Sequence, residues 1–165
     1  MKKTFILLVG MISLSAFAQK ETSKTKELPK VKAAYYVNVN MDFVFKDKDG
    51  RDLLDSANGN HYSAKDITLY YLEKGKMVKI DKPRMDYPNN QFIYRDTESN
   101  IFHLRVFLER EIVLVQLNAT IIDTIKCTIK KEKGSTQIEK VWYNGILKWE
   151  LGKDKSQVIT IIKQQ

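Results

Sequence analysis

The alternation YYVNVNMDFVF at residues 35–45 constrains this chain more than any other feature. Successive side chains of an extended strand point to opposite faces, so Tyr35, Val37, Val39, Met41, Phe43 and Phe45 fall on one side, with Tyr36, Asn38, Asn40, Asp42 and Val44 on the other. This pattern predicts a half-buried strand with its odd positions inward. The same period of two returns along the chain. Ile67, Leu69 and Tyr71 alternate with Thr68, Tyr70 and Leu72, and Lys74-Gly75 turns the chain into residues 77–80. Ile121, Asp123, Ile125, Cys127 and Ile129 share one face of a long strand, and Asn144-Gly145 reads as a two-residue hairpin turn. Residues 81–90, with Pro83, Pro88 and Asn89-Asn90, read as a loop crossing between sheets. Leu104, Phe107, Leu108, Glu111 and Leu114 would also line one face of a helix over 104–117, but the density of valine and isoleucine there favours strands. Roughly ten short strands with frequent turns predict an all-β fold: an antiparallel β-sandwich of the immunoglobulin-like kind, with a small β-barrel as the alternative.

Residues 1–18 have the three parts of a secretory signal peptide. Lys2 and Lys3 are the basic start, residues 5–14 an apolar run too short to span a bilayer, and Ala16-Phe17-Ala18 the small-residue cleavage site. Its removal lowers the formal net charge from +8 to +6, because both lysines leave with it. Residues 19–32 are polar and lysine-rich and read as a flexible leader, followed by a single β domain over 33–165. The expected compartment is therefore periplasmic or extracellular. No transmembrane segment is expected in the mature chain, and no cysteine follows the apolar run to accept a lipid anchor. Lysines are scattered rather than clustered and arginines are few, which argues against nucleic acid as a partner. Cys127 is the lone cysteine, and strand alternation places it inward as an inert thiol.

The stretch FKDKDGRDLL at 45–54, ITLYYLEKGK at 67–76, Asp123-Thr124-Ile125 and Trp142-Tyr143-Asn144-Gly145 together resemble a group of small uncharacterised exported β-sandwich proteins of Bacteroidota. The resemblance covers most of the mature chain and implies an exported β-sandwich. Its motifs are turns and strand starts, so it carries no catalytic residue over. Many such relatives look like lipoproteins, whereas this chain lacks the lipobox cysteine.

Three constellations bear on function. Asp47, Asp49, Asp52 and Asp55 crowd carboxylates around Gly50, the oxygen-rich chemistry that calcium prefers. Their spacing departs from the EF-hand, and Lys46, Lys48 and Arg51 neutralise the loop, so an Asx-type turn that fixes Leu53 and Leu54 is the leading reading and calcium the minor one. Paired aromatics on strands put one ring on each face, which makes Tyr36, Tyr70, Trp142 and Trp149 candidates for an outer binding surface for a protein or carbohydrate ligand. Asp123 stands on an apolar face and is expected to accept hydrogen bonds from backbone N–H groups or a basic side chain in a neighbouring loop, the alternative being a β-bulge or strand break between Asn118 and Asp123 that turns it to solvent. His61 and His103 have no partner at metal-ligand spacing. No nucleophile elbow, zinc-protease helix or phosphate loop is present. The chain therefore reads as an exported, non-catalytic binding or structural module of the envelope or extracellular space. The alternative is a glycan-acting hydrolase using a carboxylate pair with no local signature.

Overall fold

The computed structural model describes residues 35–164, within one compact unit formed by Ala33–Gln165. The expected signal peptide and leader lie outside the described residues. Eleven strands form two sheets: β1 (Tyr36–Asn38), β2 (Asn40–Asp47), β3 (Thr68–Glu73), β4 (Lys76–Lys79), β5 (Gln91–Arg95), β6 (Phe102–Phe107), β7 (Ile112–Gln116), β8 (Ile122–Glu132), β9 (Ser135–Tyr143), β10 (Ile146–Glu150) and β11 (Val158–Lys163). The large sheet runs β1-β9-β8-β7-β3-β4, with β10 also on β9, and the small sheet runs β11-β2-β6-β5. There is no helix among the described residues, and the stretch 104–117 holds most of β6 and all of β7 joined by residues 108–111, strands as its branched residues predict.

The two sheets pack face to face around one core rather than closing into a barrel. Met41, Phe43, Phe45, Leu104, Val106, Ile159 and Ile161 come from the small sheet, and Leu69, Val113, Val115, Ile125, Cys127, Ile138 and Val141 from the large one. The sandwich expectation is met, with one difference in strand direction. Most pairs are antiparallel, but β1 runs parallel to β9 and β11 parallel to β2, so both sheets are mixed.

The opening alternation also divides. Residues 35–45 form two strands rather than one, broken at Val39, where the chain leaves the edge of the large sheet and enters the middle of the small one. Met41, Phe43 and Phe45 are fully buried as expected, but Tyr35 and Val37 stay exposed because β1 is an edge strand. Two further crossings build the layers. Residues 80–90 carry the chain from β4 to β5, and residues 108–111 carry it from β6 to β7. The Asn144-Gly145 turn is as read, with φ of 48° and 81°, the left-handed pair that a tight hairpin turn requires.

Candidate functional site

The four aspartates of the acidic loop each have local work. Asp47 Oδ1 accepts the backbone N–H groups of Asp49 and Arg51, both at 2.9 Å, and its Oδ2 accepts Arg51 Nε at 2.6 Å. Burial would raise the Asp47 pKa, but these bonds outweigh it and hold the carboxyl below its ordinary value. Asp49 pairs with Arg51 Nη2 at 2.9 Å, and Asp55 accepts the Ala57 N–H at 2.9 Å. Asp52 is a wedge where β2 and β6 part. Its Oδ1 accepts the Leu54 N–H and its Oδ2 the Phe102 N–H, both at 2.8 Å, while Leu53 N–H donates to the Phe45 carbonyl. These bonds set Leu53 and Leu54 into the core, the outcome that an Asx-type turn implies. Among the described residues no three His, Cys, Asp or Glu side chains gather in a way that holds a metal.

Asp123 is buried, as the alternation requires. Tyr143 OH donates to its Oδ2 and Asn144 Nδ2 to its Oδ1, each at 2.6 Å, and the Lys163 ammonium of β11 closes an ion pair on Oδ2. The basic partner therefore comes from a strand of the opposite sheet, so this cluster ties the two layers together. Burial pushes the Asp123 pKa up, but Lys163, Tyr143 and Asn144 more than offset it and leave the carboxyl below its ordinary value. Tyr143 moves up, through burial and then its bond to Asp123. Tyr62 is pushed up to about 12 by burial and by the Asp123 charge. Cys127 is equally closed to chemistry: burial and then Glu111 push its thiol up to about 12, and Sγ donates to the Arg110 carbonyl at 3.3 Å.

The outer face of the small sheet is covered by its own chain over β2, β6 and β5, while Val158 and Ile162 of edge strand β11 stay open on that face at 36% and 53%. Arg105 grips Asp42 with Nε and Nη2, both at 2.7 Å, and Tyr94 OH donates to the same carboxylate at 2.7 Å. Tyr87, from the loop before β5, stacks on Phe92 at 4.4 Å and on Phe107 at 5.4 Å between centroids. His103 lies beside the Tyr94 ring at 5.2 Å, and His61 Nδ1 donates to the Asn58 carbonyl at 2.8 Å.

The outer face of the large sheet is different. Pairing aligns Tyr70 with Leu114 and Thr124, and Ile112 with Lys126, Trp142 and Leu147. Leu72 and Met77 pair with each other and continue the second row across β3 and β4. Tyr36 shares this face at its far end, opposite Ser135. Three of the four candidate aromatics are thus on one surface.

Trp149 corrects the fourth. It is 3% exposed, in the core, with its indole N–H donating to the Ser156 carbonyl at 2.7 Å. A bulge between Leu147 and Trp149 is the cause: the extra residue, Lys148, turns Trp149 inward opposite Val141 while Leu147 stays outward.

Around the rings the face is aliphatic and open. Leu72 is 47% exposed, Met77 42%, Ile112 38% and Leu147 46%. Lys126 lies 5.7 Å from the Trp142 ring, and neither it nor Lys79 has a carboxylate partner among the described residues, whereas Glu132 and Glu150 are each paired with lysine. Sequence reasoning singled out rings and passed over these aliphatics. The signal was present in Thr68-Leu69-Tyr70-Tyr71-Leu72, where Leu72 falls on the Tyr70 side. No family model matches the chain, and no curated protein or solved structure matches it either.

Proposed function

We propose that the protein is an exported, non-catalytic binding or structural module of the cell envelope or extracellular space, and that it holds a protein partner on the outer face of its large sheet. Export rests on the signal-peptide pattern at residues 1–18 and on the resemblance to exported Bacteroidota sandwiches. One observation carries the binding site: strand register gathers Tyr70, Leu72, Ile112, Leu114, Trp142 and Leu147 on one partly exposed face, with Lys126 between Ile112 and Trp142 and stacked near the indole. Exposed apolar side chains gathered on one face mark sites of association. The aliphatic content favours protein over carbohydrate, since a sugar needs hydrogen-bonding groups around an aromatic platform and Leu72, Ile112, Leu114 and Leu147 supply none. Lys79 and Lys126 favour a partner whose apolar patch is flanked by carboxylates.

The hydrolase alternative needs two carboxyls about 5 to 9 Å apart, one of them holding its proton near neutral pH. Asp47, Asp96, Asp123 and Glu150 all shift the other way, below their ordinary values. That supports the binding reading. The test is retention of the mature protein by an envelope fraction of the organism that makes it, compared with a variant carrying Ile112→Gln and Leu147→Gln. The variant is expected to fold with an unchanged melting midpoint and to be lost from the fraction. Equal retention of parent and folded variant would overturn the reading.

A further inference from the structure

We propose that the free edge of β11 takes up an extended segment of a protein partner as an added strand of the small sheet, with alternate apolar side chains of that segment entering the cleft between β11 and β10. This edge is separate from the outer face of the large sheet, and either can fail without the other. β11 pairs on one side only, with β2, and stands at the end of its sheet. The Asp42 N–H donates to the Gln157 carbonyl at 3.0 Å, and in the parallel register Val158 lies opposite Asp42. Backbone groups alternate from side to side along a strand, so residues 157, 159, 161 and 163 turn toward β2, and the N–H and C=O groups of Val158, Thr160 and Ile162 face away from the sheet. They form a row of donors and acceptors about 13 Å long with no partner among the described residues.

The other edges are blunted in the ways that discourage pairing. β1 is three residues long, β4 carries Lys76 and Lys79, β10 is bulged at Lys148, and β5 is laced to the residue before β3 by Gln91. Val158-Ile159-Thr160-Ile161-Ile162 has no charge, proline, glycine or bulge. An edge left in that state is a template for another strand.

The cleft beside it says what that strand carries. Ile146 lies opposite buried Tyr143, so its side chain points between the sheets, yet it is 60% exposed. Among the described residues no strand of the small sheet lies beyond β11 to cover it. Tyr143, Ile146, Ile161 and Ile162 line a cleft of about 380 Å³. A strand added beside β11 covers Ile146 and sets every second side chain into this cleft, the mode of recognition in which main-chain bonds hold the segment and alternate pockets select it. Lys148 also lines the cleft and has no ion-pair partner among the described residues, which favours a segment flanked by carboxylates. A second copy joined β11 to β11 about a two-fold axis brings Lys148 toward its own equivalent instead, which like-charge repulsion opposes.

The experiment is amide hydrogen exchange, read by NMR, on the mature protein alone and with acetylated, amidated peptides of the form Glu-X-Thr-X-Thr-X-Glu, X being Val, Ile, Leu or Phe. In the free protein the Val158, Thr160 and Ile162 amides are expected to exchange fast beside protected Ile159 and Ile161, and at least one peptide is expected to slow those three by about tenfold or more. Thr160→Pro removes only an outward N–H, a change that edge strands tolerate, so it should keep its melting midpoint and lose the slowing at Val158 and Ile162. Ile146→Gln alters an exposed side chain and should likewise fold and bind the peptide more weakly. The proposal is overturned if no peptide slows these amides, if a peptide of the same composition without the alternation slows them equally, or if either folded variant binds as well as the parent. It is also overturned if they are slow in the free protein and sedimentation shows a dimer that Thr160→Pro dissociates.

Discussion

The outer faces of the two sheets differ in how much of them the chain itself covers, with Val158 and Ile162 at the β11 edge the open part of the small sheet. On the small sheet, Asp42, Arg105 and Tyr94 satisfy one another, and Tyr87 folds over Phe92 and Phe107. On the large sheet, Leu72, Met77, Ile112 and Leu147 stand open beside two cations without carboxylate partners. The difference teaches where to look for function. Groups whose hydrogen bonds and ring contacts are already met within the chain serve stability, and apolar surface that the chain leaves uncovered is available to a partner.

Substitution at each place should break or sharpen that contrast. The largest effect is expected at the seam between the sheets. Asp123→Ala leaves the largely buried Lys163 ammonium without its partner and strips Tyr143 and Asn144 of their acceptor, a loss of about 3 kcal/mol by chemical denaturation. Because the folded pKa of Asp123 is depressed, its contribution is fully present above the ordinary value of 3.8 and is lost as pH falls through the folded value. The stability gap between parent and Asp123→Ala should therefore be constant above 3.8 and narrow below it. Arg105→Ala on the small sheet strands the Asp42 carboxylate with Tyr94 alone. The arginine side chain is 32% exposed, so about 2 kcal/mol is expected rather than the full cost of breaking a buried pair. Tyr87→Ala should cost about 1 kcal/mol, because the ring it removes is stacked but 43% exposed. The smallest change belongs to the open face: Leu72→Gln should shift stability by no more than about 0.5 kcal/mol while weakening retention by the envelope fraction. A large loss of stability from Leu72→Gln would show that the open face serves the fold after all.

Much of this was legible in one dimension. Period two and turn residues predict the sandwich, the Asx-type turn of Asp47, and the inward placement of Asp123 and Cys127, because each depends on near neighbours in the chain. What was not legible depends on pairing. The break at Val39 follows from β1 joining β9 nearly a hundred residues away, and the Trp149 correction follows from a bulge at Lys148 that local alternation does not reveal. Lys163 as the partner of Asp123 is a contact between the two sheets, and Gln91 reaching the Ile67 carbonyl ties β5 to the residue before β3. Of the candidate surface, Tyr36, Tyr70 and Trp142 were found because rings stand out in a strand. The aliphatics beside them were missed because the same residues also signal a core.

The most direct test of the open face is oxidative footprinting of the mature protein, free and bound to its envelope fraction. Met77 and Trp142 report on the large sheet, and Met85 and Tyr87, 58% and 43% exposed, report on the loop over the small sheet. The expected result is that Met77 and Trp142 lose reactivity on binding while Met85 and Tyr87 keep theirs. Protection of Met85 and Tyr87 with Met77 and Trp142 unchanged would contradict it.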